Sequence, residues 1–431
     1  MNGEEALAYI HNSIRFGSRL GLERMKTLTD FLGNPQDSLR FIHVAGTNGK
    51  GSTSAYIASI LSAAGLRTGL YTSPALVDFA DRIRVGRNRI PYEDLGELTE
   101  KVKQQVDRML AEGMEHPTEF ELVTAIGFLY FKSEGCEVVV LETGLGGRFD
   151  ATNVIRAPLA AVITTIGYDH MDRLGDTLTK IAFEKAGIIK EGCPVIVHPQ
   201  EPEVMSVFEQ ACADRGAVLH PVDFSRLAVS NVDRTGTRFA IDGYGDFYTS
   251  LLGRHQAGNA AVAVATVEIL AKAGILKIDA THMQQGIAET FWPGRLEQVN
   301  DRPLFYIDGA HNPEGAKALT DALKELFPGR KIVFIAGVLR DKDYPAMLKA
   351  VYGIASRVIA TQPDSDRALP ADELARHILQ QGVPATESSS ICDAIEKAIR
   401  AAGPGGIVCA FGSLYYIGEV RRQVLNRRGI Q

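Results

Sequence analysis

Short apolar and β-branched runs alternate with longer segments of helical period along the whole chain. In the first half the runs are RFIHVA (40–45), RTGLYT (67–72), EVVVLE (137–142), LAAVITTIG (159–167) and PVIVH (194–198). Runs of this kind, which lack strict polar alternation and are separated by helices, are typical of buried parallel strands. The pattern predicts an α/β domain built on a mostly parallel sheet.

The same alternation restarts in the last third of the chain. Strands are predicted in RPLFYIDGAH, KIVFIAGVL, SRVIATQP and GIVCAFGSLYY, and helices are predicted at 314–326 and 371–380. The number and length of these elements indicate a second, smaller α/β unit of Rossmann-like size.

A domain boundary is predicted where Pro293 and Gly294 come together, because this pair is typical of a linker. The predicted domains are residues 1–293 and residues 294–431. Residues 215–250, rich in Gly, Asp and Thr, are interpreted as irregular strands at an edge of the first domain.

Composition and charge exclude several classes of protein. Hydrophobic residues make up 45% and charged residues 23% of the 431 residues, as in a soluble globular protein. The net charge of -6 and the absence of a basic run argue against nucleic acid. The N-terminus opens with paired acids and lacks the apolar core of a signal peptide, and no apolar stretch approaches the length of a membrane span. Five scattered cysteines predict reduced thiols and a cytoplasmic location: Cys136, Cys193, Cys212, Cys392 and Cys409.

The segment GTNGKGST (46–53) lies between a predicted strand, FIHVA, and a predicted helix. Its glycines allow the backbone N–H groups to point inward at the positive end of the helix dipole, where phosphate binds. Lys50 can reach the β and γ oxygens, and the hydroxyl of Ser52 or Thr53 can face a metal. The segment departs from the common phosphate-loop pattern, since Val44 replaces the first glycine and Gly51 follows the lysine. On the loop alone, a plain glycine-rich turn stays open.

Two polar residues are predicted at the ends of apolar strands. Glu142 ends EVVVLE and His170 closes TTIGYDH. A carboxylate at the carboxyl edge of a parallel sheet, beside a phosphate loop, is placed to hold Mg²⁺. The alternatives are a glutamate that caps the next turn and a histidine with ordinary polar contacts; two such residues at one edge favour the metal.

The motif GTNGKGST resembles the ATP loop of the Mur ligase superfamily. The glycine after the lysine makes it similar to the folylpolyglutamate synthase and dihydrofolate synthase branch of that superfamily. Six further blocks agree, in the family's order, so the resemblance covers most of the chain. They are SPAL (73–76), TEFELVTAIGF (118–128), LETGLGGRFDATN (141–153), GYDHMDRLGDTLTKIAFEKAGIIK (167–190), WPGRLE (292–297) and DGAHNP (308–313). The resemblance implies a P-loop ATPase-like first domain.

The resemblance also implies roles for individual residues. Ser73, Glu142 and His170 are the expected Mg²⁺ ligands. The lysine that matches Lys185 is carbamylated in the family, although read alone it is a solvated helix lysine. His311 lies near the incoming amino acid, and Lys50, Lys185 and His311 form the expected catalytic set.

The resemblance also implies contacts to ATP and to the folate substrate. ATP is expected on residues 46–53 (Gly46, Thr47, Asn48, Gly49, Lys50, Gly51, Ser52 and Thr53) and on Asn259, Arg295 and Asp308. From the residues alone, Asn259 is an N-cap and Arg295 a solvated linker arginine. The folate side is expected to use Leu28, Thr29, Asp30, Arg82, Thr118, Phe120, Glu121, Arg148 and Asp150.

Two of these assignments have alternatives in which the residue has only a structural role. Phe120 offers a ring for stacking but is equally explained as core, and Arg82 and Arg84 fit the exposed face of a strand. The chain departs from the family at Ala75, where the family has histidine in Ser-Pro-His-Leu; Ser73 is retained.

The predicted function is an ATP-dependent carboxylate–amine ligase that joins L-glutamate to a folate, to dihydropteroate, or to both, through an acyl phosphate. The expected cofactors are ATP and Mg²⁺, and the expected state is a monomer. Two alternatives stay open. A cell-wall ligase of the Mur type usually has a further N-terminal domain, and only about 40 residues precede the loop here. A nucleotide-binding protein without catalysis would not need DGAHNP in a second domain.

Overall fold

The computed structural model of the chain describes residues 1–17 and 21–428. The chain forms two compact units. The first comprises Met1–Gly167, Met171–Arg226 and Asn259–Glu289, and the second comprises Tyr168–His170, Leu227–Gly258 and the chain from Thr290 onwards. The predicted boundary at 293/294 stays a prediction.

The first unit is built on an eight-stranded sheet in the order β4-β3-β2-β5-β1-β6-β7-β8. Strands β2, β5, β1, β6, β7 and β8 run parallel, and β3 and β4 continue the sheet in antiparallel pairs. This confirms the predicted α/β class with a mostly parallel sheet. The strands are β1 (Phe41–Ala45), β2 (Thr68–Tyr71), β3 (Ile83–Val85), β4 (Asn88–Arg89), β5 (Val138–Glu142), β6 (Ala160–Ile163), β7 (Pro194–Val197) and β8 (Val218–Pro221).

Strand β1 lies at the centre of this sheet and all five of its residues are buried. Its partners β5 and β6 are also buried throughout, which explains why their sequences are continuous apolar runs. Val44 is in register with Glu142, so the end of β5 is level with the start of the glycine-rich loop. Strand β6 is shorter than predicted because residues 164–167 leave the sheet and bond to that loop.

Within the described parts of the chain, ten α-helices accompany this sheet. The longest, α4, buries one apolar face, whereas α3 is buried over most of its length. Among the described residues no helix combines the length and the apolar composition needed to cross a bilayer. The helices are α1 (Gly3–Asn12), α2 (Glu23–Phe31), α3 (Lys50–Ala63), α4 (Tyr92–Ala111), α5 (Glu119–Ser133), α6 (Met171–Leu174), α7 (Leu178–Lys185), α8 (Pro202–Ala213), α9 (Arg254–Lys272) and α10 (Ala280–Glu289).

The second unit contains a six-stranded sheet in the order β12-β13-β17-β14-β15-β16, parallel except for the edge strand β12. An apolar core lies between this sheet and its helices. The strands are β12 (Glu297–Asp301), β13 (Leu304–Ile307), β14 (Ile332–Ala336), β15 (Ala355–Ala360), β16 (Ala385–Glu387) and β17 (Ile407–Phe411), and the helices are α11 (Pro313–Leu326), α12 (Tyr344–Tyr352), α13 (Ala371–Gln380), α14 (Ile391–Ala402) and α15 (Leu414–Arg428). The predicted second α/β unit is confirmed.

The interpretation of residues 215–250 is wrong in part. Strand β8 does form the edge of the first sheet, but β9 (Leu227–Asp233), β10 (Gly236–Ile241) and β11 (Gly245–Thr249) form a separate antiparallel sheet within the second unit. Arg234 in the β9–β10 turn donates to Gln298 Oε1 at 3.2 Å, which ties this sheet to β12.

Candidate active site

The loop between β1 and α3 requires glycine at two positions. Gly46 has a φ of 151° and Gly49 a φ of 83°, backbone angles that L residues rarely adopt. A Cβ atom at Gly46 would lie 1.8 Å from Thr164 Oγ1, and one at Gly49 would lie 2.4 Å from Asn259 Oδ1. The loop is therefore packed against its surroundings, and the alternative of a plain glycine-rich turn does not account for this fit.

Hydrogen bonds from the segment after β6 hold the loop in shape. Thr47 N donates to Thr165 O at 2.7 Å, and the Thr47 hydroxyl donates to Gly167 O at 3.1 Å. The Thr165 hydroxyl donates to Asn48 O at 3.1 Å. Because residues 165–167 satisfy these polar groups, the loop is held in one conformation by its own unit.

Two lysines lie beside this loop. Lys185, the last residue of α7, has a side chain only 4% exposed and its Nζ donates to Gly46 O at 2.7 Å. The alternative of a solvated helix lysine is therefore wrong. Lys50 begins α3 and donates to Thr47 O at 3.2 Å. The two ammonium groups and the positive end of the helix dipole give this loop the charge that suits an anion.

The first turns of α3 carry buried hydroxyl groups. Ser52 and Thr53 are buried, and the Oγ1 of Thr53 and the Oγ of Ser54 have no hydrogen-bond partner within the described parts of the chain. Buried hydroxyls are seldom left unpaired in a folded protein, so these groups are suited to a polar ligand. The prediction that a hydroxyl of this turn faces a bound ion stays a prediction, and Thr53 fits it.

The first unit also brings together two of the three predicted metal ligands. Glu142 ends β5 with a side chain 4% exposed, and Ser73 N lies 3.4 Å from Glu142 Oε2. Over residues 1–17 and 21–428 no three His, Cys, Asp or Glu side chains are grouped as a metal site. A buried carboxylate beside a serine offers the oxygen ligands that Mg²⁺ prefers.

His170 does not close a strand, contrary to the prediction. Strand β6 ends at Ile163, and His170 has a φ of 50° directly before α6. The residue belongs to the second unit, so its predicted role as a metal ligand stays a prediction.

Asn259 lies inside α9, five residues after the helix begins at Arg254, so the N-cap alternative is wrong. Its side chain lies against the phosphate loop, because its Oδ1 is the atom that a Cβ at Gly49 would meet first. A polar amide in this position can contact a ligand bound on the loop.

On the predicted folate side, Arg82 is buried, so the alternative of an exposed strand face is wrong for this residue. Its guanidinium carbon lies 5.3 Å from the centre of the Phe79 ring and 5.7 Å from that of Phe120. It forms an ion pair with Glu119. Its Nε is buried without a partner in the described residues. Aromatic rings beside a buried cation suit a flat, anionic ligand.

The other folate-side candidates have structural contacts. Thr118 and Glu121 form the capping box of α5. Asp150 accepts bonds from Gly144 N, Leu145 N and Thr152, and burial raises its pKa although these bonds offset part of the effect. Leu28 and Thr29 are buried in α2, Asp30 accepts from Asn34, and Arg148 lies over the Phe183 ring. Their predicted roles in substrate binding stay predictions.

In the second unit, Asp308 follows β13 directly. Its carboxylate accepts from Leu296 N at 2.7 Å and from Ala310 N at 2.8 Å. Burial raises the pKa of Asp308, while the charge of Arg295 and these bonds lower it in part. The contacts order the residues around the predicted linker; the assignment of Arg295 and Asp308 to ATP stays a prediction.

A second polar cluster, centred on Asp169, was missed from the sequence. Asp169 is 8% exposed and forms an ion pair with Lys342. His311 Nε2 lies 3.4 Å from Asp169 Oδ2. Burial alone would raise the pKa of Asp169, but the hydrogen bond from His311 and the charges of His311, His170 and Lys342 hold it well below its usual value. The only sequence signal was the position of Asp169 next to His170.

The loop geometry gives a direct prediction for Gly49→Ala. We expect its affinity for ATP to fall at least about tenfold, because the new methyl group displaces the Asn259 amide from the loop. The left-handed φ also costs about 1–2 kcal/mol of stability. Gly65→Ala is the matched control, since Gly65 has a φ of 81° but open space around it. Calorimetric titration with ATP distinguishes them; ATP affinity equal in all three proteins would contradict this account of the loop.

Two family models match the chain. The Mur ligase middle domain matches residues 44–267, and the Mur ligase glutamate ligase domain matches residues 294–414. The dihydrofolate synthase/folylpolyglutamate synthase of Bacillus subtilis is 39% identical over 430 residues, which cover 98% of this chain and 99% of that protein. The folylpolyglutamate synthase of Lacticaseibacillus casei is 37% identical, with 99% of each chain covered.

Among solved structures, the folylpolyglutamate synthase of Mycobacterium tuberculosis complexed with ADP has a TM-score of 0.90 to this chain. It is 32% identical, with 98% of this chain and 99% of that chain covered. These matches confirm the resemblance predicted from the sequence blocks.

Proposed function

Because the chain belongs to the Mur ligase family, and within it to the folylpolyglutamate and dihydrofolate synthases, we propose that it is an ATP-dependent ligase that joins L-glutamate to a pteridine carboxylic acid. The acceptor is a folate, dihydropteroate, or both. The observation that carries the proposal is the phosphate loop, whose glycines, lysines and buried hydroxyls are arranged for a nucleotide.

The reaction has two steps. A carboxylate oxygen of the acceptor attacks the γ-phosphorus of ATP, the bond from that phosphorus to the β–γ bridging oxygen breaks, and ADP and an acyl phosphate form. The amine of glutamate then attacks the acyl carbon, and phosphate leaves with the former carboxylate oxygen. The amine loses a proton and an amide remains.

The residues of the first unit supply the electrostatic part of the first step. Lys50 and the N–H groups of the loop stabilise the charge that develops on the β and γ phosphates. Lys185 holds the Gly46 carbonyl in place through its 2.7 Å hydrogen bond, so that the loop keeps its shape as charge moves. Carbamylation of Lys185, as in the family, would turn its ammonium group into an anionic carbamate, which would replace the cation in this contact.

Glu142 and Ser73 of the first unit fit a bound Mg²⁺. Glu142 offers a buried carboxylate, and the Ser73 hydroxyl and His170 complete the proposed ligand set. The ion would neutralise phosphate charge and polarise the γ-phosphate. The second substrate is assigned to residues 294–414, which match the glutamate ligase domain, with His311 beside the glutamate.

We further propose that the enzyme acts as a monomer in the cytoplasm. Its five cysteines are unpaired and four of them are buried, which fits a reducing compartment.

A paired-substrate assay tests the proposal. Dihydropteroate and tetrahydrofolate are offered separately with ATP, Mg²⁺ and glutamate, and both ADP and the glutamylated product are measured. We expect ADP release that requires glutamate and at least one of the two acceptors. ADP release without any acceptor, or ligation only to a cell-wall precursor, would refute the proposed function.

A further inference from the structure

Within the second unit, one buried carboxylate has a lysine at one of its oxygens and a histidine at the other. Asp169 Oδ1 forms an ion pair with Lys342 and accepts from His170 N at 2.9 Å. Asp169 Oδ2 lies 3.4 Å from His311 Nε2 and 3.4 Å from Asn312 Nδ2. Lys342 and His311 are thus joined through a single side chain.

The other face of the His311 ring is fixed as well. His311 Nδ1 lies 2.8 Å from Gly309 O, and because a carbonyl oxygen only accepts, Nδ1 carries the proton of this bond. With Nδ1 on a carbonyl and Nε2 towards Asp169, the ring has one preferred orientation. The position of the Asp169 carboxylate therefore decides the orientation of the imidazole.

Lys342 is built into the fold at this position. It lies in the loop after β14, at the carboxyl edge of the sheet, and its side chain is only 9% exposed. Arg340 N donates to Arg367 O at 2.8 Å, and Arg367 Nη1 donates to Asp341 Oδ2 at 3.1 Å, so Arg367 holds the two residues that precede Lys342. A buried ammonium is costly unless it is paired, and Asp169 is the carboxylate that pairs it.

We propose that Lys342 is a positioning residue of the ligase, which anchors Asp169 so that this carboxylate orients His311 towards the reacting groups. The proposal rests on the proposed function, because it assigns the effect to glutamate transfer. Lys342 acts through Asp169 and is not itself assigned a contact with substrate.

A double-mutant cycle tests the coupling. Lys342→Met, which keeps the length of the side chain and removes its charge, is expected to lower kcat for glutamylation by about 10- to 100-fold, as is typical for residues that orient a functional side chain. In a His311→Ala background the same substitution is expected to cause less than about a twofold further loss, since nothing remains to be oriented. Lys342→Arg is expected to restore most of the activity.

The control is Arg340→Met, two residues away in the same loop. Its side chain is 56% exposed and pairs with Glu373 at the surface, so we expect wild-type kcat and KM. Thermal unfolding of every variant is measured first. If Lys342→Met is unfolded at the assay temperature, Lys342→Gln, which stays polar but removes the charge that pairs with Asp169, takes its place in the cycle with the same expected pattern.

Three outcomes would overturn the proposal: losses that multiply in the double variant, wild-type kcat in Lys342→Met, or an effect confined to the Mg²⁺ requirement. Failure of the proposed function is distinguishable, because then the wild-type protein itself shows no glutamate-dependent ADP release. An active wild-type enzyme with multiplying losses rejects the role of Lys342 alone.

Discussion

Lys50→Met is expected to abolish measurable ADP release, with kcat reduced at least about 100- to 1,000-fold, the range found when one preorganised charge-stabilising donor is removed. Lys50 is the only residue of the loop with a charged side chain, and it begins α3, whose N-terminus is the proposed phosphate site. Methionine keeps the aliphatic length, so the loop itself is preserved. The measurement is coupled ADP release at saturating ATP, acceptor and glutamate.

Lys101→Met provides the control, because Lys101 is an exposed lysine on α4. It removes the same charge from the same unit and leaves the activity unchanged. If Lys50→Met retained more than about a tenth of the wild-type kcat, the loop would not be the site of phosphoryl transfer.

Glu142→Gln is expected to lower kcat by about 100-fold and to raise the Mg²⁺ concentration needed for half-maximal rate at least about tenfold, because glutamine keeps the shape of the side chain but is a much weaker ligand for a hard cation. The Mg²⁺ dependence of ADP release measures both effects. The matched control is Glu203→Gln, an exposed carboxylate near the start of α8.

An unchanged Mg²⁺ requirement in Glu142→Gln, with kcat equal to that of the control, would remove Glu142 from the metal site. A loss of kcat with an unchanged Mg²⁺ requirement would assign Glu142 to shaping the residues around Ser73 instead.

The sequence was sufficient for the features that depend on local chemistry. Continuous apolar runs predicted the central parallel strands, since both faces of β1, β5 and β6 are buried. The glycines of the 46–53 loop predicted a tightly curled backbone, because only glycine readily adopts the angles that Gly46 and Gly49 have. Glu142 was placed correctly because it directly ends an apolar strand.

Features that depend on distant parts of the chain were not predictable in the same way. Lys185 and Gly46 are 139 residues apart and Lys342 and Asp169 are 173 apart, and no local pattern marks either pair. His170 was assigned to a strand because TTIGYDH is apolar at its start, but residues 164–167 leave the sheet to bond the phosphate loop. The sheet β9–β11 was placed with the wrong unit, since turn-rich antiparallel strands carry no sequence signal for the unit to which they belong.

The central claim is that the γ-phosphate of ATP is transferred to a carboxylate before glutamate attacks it. The most direct test uses an acceptor labelled with ¹⁸O in the reacting carboxylate, either dihydropteroate or tetrahydrofolate, with ATP, Mg²⁺ and glutamate, and mass spectrometry of the phosphate released. The account predicts one ¹⁸O atom in the phosphate for each amide bond formed. Phosphate without the label, alongside continued amide formation, would contradict it.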